Sequence, residues 1–143
     1  MNGSVVSIQR CHGRGTPMEP APDAVLEEGG LTGDAHFEPQ SIRQLLLADA
    51  EALEALDLSP GDIRENLTLR GTDVMALRPG TTLAIGGAEV EITKECAPCR
   101  RMDEVRPGLM RELSGQRGMY ARVVRGGSVR PGDAVRVLEA ELR

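Results

Sequence analysis

Thr81-Thr82-Leu83-Ala84-Ile85-Gly86-Gly87-Ala88-Glu89-Val90-Glu91-Ile92-Thr93 places two runs rich in β-branched and alternating residues on either side of a diglycine. The runs read as strands, and the Gly86-Gly87 pair supplies the positive φ that a two-residue hairpin loop requires. Outward from this hairpin the same punctuation recurs. Val5 to Gln9 makes a first strand, and Asn66-Leu67-Thr68-Leu69 is a short alternating run. Tyr120 to Val124 and Ala134 to Leu138 are predicted as another strand pair around Gly126-Gly127 and Pro131-Gly132-Asp133. Pro-Gly pairs at 60–61, 79–80, 107–108 and 131–132 mark turns. Many short strands with such turns predict a mainly β chain, a closed or partly open β-barrel with two or three short helices, over a doubly wound parallel sheet.

The helices are sparse. Met102 to Leu113 is predicted helical, interrupted at Pro107-Gly108 and ending near Ser114-Gly115. Ser41 to Leu56 admits two readings: one amphipathic helix, or a strand over Ile42 to Leu47 followed by a short helix capped by Asp49. The stretch Gly13–Gly30, with Pro17, Pro20 and Pro22, is predicted as a surface loop.

The 143 residues fit one domain, 1–143, with one core. Phe37 and Tyr120 are the only aromatics, so that core must be built from Val, Leu, Ile, Ala and Met. A net charge of −5 and a lack of aromatic stacking surfaces argue against nucleic acid as a partner. No apolar run reaches the length of a membrane span and the N-terminus carries no export pattern, so a soluble, cytoplasmic protein with no membrane partner is expected. Of the 17 basic residues, Lys94 is the single lysine; the other 16 are arginines, whose planar forks suit phosphate and carboxylate groups.

Three cysteines, Cys11, Cys96 and Cys99, are an odd number in a chain expected in a reducing compartment, which favours a reactive or metal-bound thiol over a disulfide scaffold. The Cys96-Ala97-Pro98-Cys99 segment has three readings: half of a zinc site, a reversible redox pair, or a single nucleophilic thiolate at Cys99 with Cys96 as neighbour or resolving thiol. Zinc needs two more ligands, and only Cys11, His12 and His36 remain among Cys and His, without metal-motif spacing. A thioredoxin-like pair needs a βαβ setting that the strand-rich surroundings lack. For Cys99 as nucleophile, Arg100, Arg101 and the start of the Met102 helix would lower the thiol pKa, with Lys94 on the other side. His36, after Gly33-Asp34-Ala35, reads from composition alone as a loop histidine on the surface, and Glu65-Asn66 as a strand start that satisfies turn backbone. No Gly-x-Ser-x-Gly, Walker loop or Gly-x-Gly-x-x-Gly is present, which removes three common hydrolase and nucleotide-binding routes.

Taken in order, Gly30-Leu31-Thr32-Gly33-Asp34-Ala35-His36, Arg43-Gln44, Pro60-Gly61-Asp62-Ile63-Arg64-Glu65-Asn66-Leu67-Thr68, Leu83-Ala84-Ile85-Gly86, Pro98-Cys99, Gly118-Met119-Tyr120-Ala121-Arg122-Val123-Val124 and Pro131-Gly132-Asp133 closely resemble the MOSC family, named for the C-terminal domain of molybdenum cofactor sulfurases. The resemblance implies a barrel of the pyruvate kinase small-barrel type, with Cys99 at the position of the family's reactive cysteine. It implies a persulfide accepted on Cys99 from a cysteine desulfurase and delivered to a molybdenum cofactor, a molybdenum enzyme or another acceptor. The alternative it implies is a module that binds the molybdenum cofactor (molybdopterin), or a reductase component for N-hydroxylated compounds, with Cys99 as the molybdenum ligand. In either case His36, Arg43, Asn66, Arg100 and Arg122 are the residues expected to bind substrate or cofactor, the arginines meeting the anionic pterin phosphate. Cys96 is additional to the family pattern and is the candidate resolving thiol. Pyridoxal phosphate enters only by family association, through the desulfurases, and with Lys94 as the one lysine a Schiff base in this chain is not expected.

Overall fold

The computed structural model describes residues 2–139. Eleven strands, β1 (Asn2–Arg10), β2 (Glu19–Ala21), β3 (Ala24–Glu27), β4 (Gly30–Leu31), β5 (Leu45–Asp49), β6 (Leu67–Arg70), β7 (Thr82–Ile85), β8 (Ala88–Glu95), β9 (Met119–Arg125), β10 (Gly127–Val129) and β11 (Ala134–Glu139), make up most of the regular secondary structure among the described residues. Three short helices, α1 (Ala50–Ala55), α2 (Met102–Val105) and α3 (Leu109–Glu112), and a 3-10 turn at Val74–Ala76 complete it. Among the described residues no helix is long and apolar enough to cross a membrane.

The main sheet runs β11-β7-β8-β9-β5-β6-β1-β2, and β11 also pairs with β1, so seven strands close into a barrel and β2 extends it. Closure removes the unpaired edges that an open sheet would leave. All barrel pairings are antiparallel except β5–β6. The predicted hairpin is β7–β8, with Ile85 opposite Ala88 and Gly86 at φ 55 in the turn. Inward-facing aliphatics fill the barrel: Leu45, Leu47, Leu67, Leu69, Leu83, Ile85, Val90 and Ile92 are all fully buried. Neither aromatic is in this core, which is aliphatic throughout as the composition required.

Two sequence expectations change, and one open choice closes. β9 and β11 are both strands, but they do not pair with each other: β9 lies between β8 and β5, and β11 between β7 and β1. Their connection carries β10 away to pair with β3 in a second, three-stranded sheet. Gly13–Gly30 is a surface loop only in its first part. Residues 19–21 add to β1 and residues 24–27 pair with β10 and β4, burying Ala21, Ala24 and Leu26. Pro17 and Pro22 flank β2, and Pro20 lies within it, on the outermost strand of the main sheet, where a proline is tolerated. In the 41–56 segment the strand-then-helix reading holds, since Leu45 to Ala48 are buried on both faces of a central barrel strand. Asp49 occupies the N-cap position of α1 without bonding to it; its carboxylate accepts from Val74 N at 2.7 Å.

A second cluster, Ala48, Leu53, Ile63, Met102, Leu109 and Leu113, packs α1, α2 and α3 against β5. β1 runs out where β6 begins and β8 where β9 begins, since Ile8 faces Leu67 and Glu95 faces Met119; β5 lies between these two strand ends, with Leu47 paired to both Leu67 and Met119. The segment between β8 and α2, which contains both Cys96 and Cys99, therefore leaves the barrel beside β5.

Candidate functional site

A cavity of about 540 Å³ opens beside β5, over Leu46 and its cross-strand partner Tyr120. It is built from the ends of β1 and β8, the starts of β6 and β9, and the loop after β4, so residues distant in sequence meet there. All three cysteines line it. They differ in exposure: Cys11 and Cys96 are buried and Cys99 is exposed. The backbone N–H of Cys96 donates to Gly118 O at 3.0 Å, continuing the β8–β9 ladder by one residue, and Cys99 O accepts from Met102 N at 2.9 Å in the turn that enters α2. These two bonds hold the Cys-x-x-Cys segment at both ends.

Six cationic side chains line the cavity, from Arg14, Arg43, Arg64, Lys94, Arg101 and Arg117, against one carboxylate, Glu95. Such an excess of positive charge attracts anions. Arg117 is 5% exposed, and its Nε and Nη1 are buried without a hydrogen-bond partner. Arg64 has a left-handed backbone, φ 66, unusual for a side chain of its size. Its guanidinium donates to Thr16 O at 2.7 Å and Gly13 O at 3.3 Å and lies 3.2 Å from Cys11 Sγ. Arg43 stacks its guanidinium over the Tyr120 ring at 5.6 Å. The Tyr120 hydroxyl in turn is 3.4 Å from Cys96 Sγ. Burial and the Cys96 contact push the Tyr120 hydroxyl up to about 12, so it stays protonated at neutral pH.

A buried polar network supports the lining from behind. Asp34 Oδ1 accepts from Cys11 N at 2.6 Å and Asn66 Nδ2 at 3.0 Å; Asp34 Oδ2 accepts from His36 N at 3.0 Å and faces His36 Nδ1 at 3.2 Å. Burial raises the Asp34 pKa, but the His36 side chain and the Cys11 and His36 backbone amides outweigh it, and the carboxyl titrates below its ordinary value. His36 is raised by the Asp34 hydrogen bond, against burial and the Arg64 charge. With Nδ1 engaged by Asp34, the His36 ring presents Nε2 on its other side. Asn66 also accepts from Leu46 N and donates to Gln9 O. Its amide therefore joins β1, β5 and β6 at the cavity floor.

Of the residues expected at the site, His36, Arg43, Asn66, Cys96 and Cys99 line this cavity. Arg100 and Arg122 do not. Arg100 is exposed beside it, and Arg101 takes the lining position. Arg122 shares Tyr120's face of β9 but lies two residues further on, where Glu91 of β8 pairs with it at 2.5 Å. Sequence reasoning missed Arg14, Arg64, Arg117, Tyr120 and Cys11 as lining residues. Arg64 sat inside a quoted motif and was legible; Arg117 and Arg14 carried no local signal. Among the described residues no group of three or more His, Cys, Asp or Glu side chains is arranged to hold a metal ion.

A MOSC domain family model matches residues 35–136, about 71% of the chain, and spans every lining element except those of Cys11 and Arg14. Among solved structures, the YuaD protein from Bacillus subtilis superposes with a TM-score of 0.83 at 21% identity, covering 96% of both chains. YiiM from Geobacillus stearothermophilus gives 0.79 at 19% identity over 96% of this chain and 75% of that one. YiiM from Escherichia coli gives 0.72 at 18% identity over 98% and 72%. At these identities the likeness is one of fold. No curated protein matches the chain at a significant level.

Proposed function

The chain belongs to the MOSC domain family, and from that premise we propose that it is a sulfur carrier whose working atom is Cys99 Sγ. The observation that carries this reading is the contrast among the three thiols: Cys99 is the exposed one, and it sits at the mouth of a cation-lined cavity. A thiol so placed is reachable by a donor. In the carrying step Cys99 Sγ attacks the outer sulfur of a donor persulfide, the new S–S bond forms as the donor's S–S bond breaks, and the donor leaves as a thiolate. Delivery reverses the roles, with an acceptor nucleophile taking the outer sulfur and the Cys99 thiolate departing. A cysteine desulfurase is the proposed donor; a molybdenum cofactor, a molybdenum enzyme or another acceptor is the destination. Free thiols and an acidic surface fit a cytoplasmic setting without nucleic-acid partners.

Intact-mass analysis after incubation with a desulfurase and cysteine tests this. A reducible gain of about 32 Da on Cys99 is expected, absent in Cys99→Ser and retained in Cys96→Ser. Equal loss in both variants would remove the single-carrier version.

The second reading is a module for the molybdenum cofactor. A soft, exposed thiolate suits molybdenum, and the surplus of arginines suits the pterin phosphate. Cys99 would be the metal ligand, with His36, Arg43 and Arg64 around the organic part. Bound there, the group would supply two-electron reduction of an N–O bond in N-hydroxylated compounds. Molybdenum by elemental analysis together with pterin fluorescence in the purified protein, and no sulfur gain on Cys99, would favour it.

A further inference from the structure

Arg117 is the least explained group in the molecule. A guanidinium 5% exposed ordinarily uses its donors on protein acceptors, because an unpaired buried donor costs free energy that nothing recovers. Here Nε and Nη1 are both buried and both unpartnered. Among the described residues the one other orphaned atom of this kind is Glu65 Oε1, on a carboxyl whose other oxygen accepts from Gly61 N and Thr68 Oγ1; the Arg117 charge acts on this carboxyl against the burial that raises its pKa, but no hydrogen bond joins the two side chains and Glu65 does not line the cavity. Arg117 does line it, in the company of Cys99, Arg43, Arg64 and Arg101. A planar fork with free donors, beside a reachable thiol and among further cations, is a ready-made cradle for an oxyanion.

We propose that the cavity takes small oxyanionic sulfane donors, of the thiosulfate and thiosulfonate class, and that Arg117 receives the oxyanion they release while Cys99 takes the sulfur. This rests on the sulfur-carrier reading and adds to it a small-molecule donor. The Cys99 thiolate attacks the outer sulfur of thiosulfate; the Cys99 S–S bond forms as the thiosulfate S–S bond breaks, and that electron pair leaves with sulfite. Total charge is −3 before and after, the carried sulfur keeps its oxidation level, and no oxidant or reductant is consumed. With a thiosulfonate the leaving group is a sulfinate. In both cases negative charge grows on oxygen atoms during the step, which is where preorganised buried donors act. A protein persulfide, by contrast, leaves its thiolate in its own site and makes no use of donors inside this cavity.

The experiment treats the full chain with thiosulfate, with methanethiosulfonate, and separately with a desulfurase and cysteine, and reads mass gain on Cys99 and released sulfite or sulfinate. The expected result is a gain of about 32 Da from thiosulfate with equimolar sulfite. Arg117→Gln should slow that loading by about 100-fold and lower the ratio of thiosulfate to desulfurase loading by at least about tenfold, with Arg117→Lys falling between. Sulfate, an unreactive oxyanion, should shield wild-type Cys99 from iodoacetamide relative to chloride at equal ionic strength, a readout that needs no variant to fold. Loading by the desulfurase but by neither small donor overturns the proposal and leaves the carrier intact. Loading by none of the three removes the carrier reading itself. Thiosulfate loading at an equal rate in folded Arg117→Gln, or no shielding by sulfate, overturns the role of Arg117.

Discussion

Asn66 Nδ2 donates to Asp34 Oδ1 across 3.0 Å, and through this bond the start of β6 fixes the loop that presents His36. The amide has a bond on each of its remaining sides, to Leu46 N and Gln9 O. Asn66 is thus a positioning residue whose side chain is occupied by protein. Asn66→Ala should destabilise by about 2–4 kcal/mol, because it strands a buried amide N–H and a buried carboxylate together. Asn66→Asp should be worse, placing a second carboxylate against Asp34. Urea unfolding of both variants checks the order; an Asn66→Asp protein as stable as Asn66→Ala would contradict it.

The Asp34–His36 pair makes stability depend on pH at both ends. Asp34 titrates lower in the folded chain, so its contribution is present above its ordinary value of 3.8 and is lost as pH falls through the lowered one. His36 titrates higher than 6.5 when folded, so its contribution is complete below 6.5 and is lost as pH rises through the raised value. The His36 side chain is 61% exposed, and solvent screening holds the effect below about 1 kcal/mol. His36→Gln should therefore lower the unfolding free energy more at about pH 5.5 than at about pH 8.5. An equal loss at the two values would show that the pair carries no charge-dependent stability.

Exposure separates the thiols. Cys11 is 2% exposed and Cys96 6%, both under packed backbone, while Cys99 is open. In the native protein iodoacetamide should modify Cys99 on the order of 100-fold faster than the other two, with the difference vanishing in denaturant. Peptide mapping at short reaction times reads this directly, and comparable labelling of Cys96 would mean that the segment opens.

Gly118 sits between Arg117 and β9 at φ 134, and a Cβ there would lie 2.6 Å from Leu47 O. Gly118→Ala should cost more than about 2 kcal/mol, whereas Gly115→Ala, at φ 77 with open space around it, should cost only about 1 kcal/mol. Thermal denaturation of the two variants gives the comparison; equal losses would mean that backbone conformation, and not the approach to β5, sets the cost.

Arg122 supplies a test of placement. Its ion pair with Glu91 lies on the barrel exterior, and both side chains are substantially exposed. Arg122→Ala should change stability by less than about 0.5 kcal/mol and leave Cys99 loading within about twofold of wild type. A large loss of loading would bring Arg122 into the site after all.

Local chemistry was legible in the sequence because it is written in neighbouring residues. The Gly86-Gly87 turn, the Pro107-Gly108 break between α2 and α3 and the turn-rich strands of an aliphatic barrel depend on φ preferences and side-chain alternation over a few positions. Cys99 was legible for the same reason, as a thiol followed by two arginines. The strands at 19–21 and 24–27 were not, because their Pro-rich sequence becomes strand only through pairing with β1, β4 and β10. Nor was the partner of β11, which is chosen by barrel closure onto β1 and not by its nearness in sequence to β9. The cavity belongs to this second kind of information. Sequence by itself determined an aliphatic β-barrel with one outstanding thiol. Only the tertiary structure decided that Cys11, Arg64 and Arg117 join that thiol and that Arg122 does not, because strand pairing alone sets which residues gather beside β5 and which lie further along the sheet.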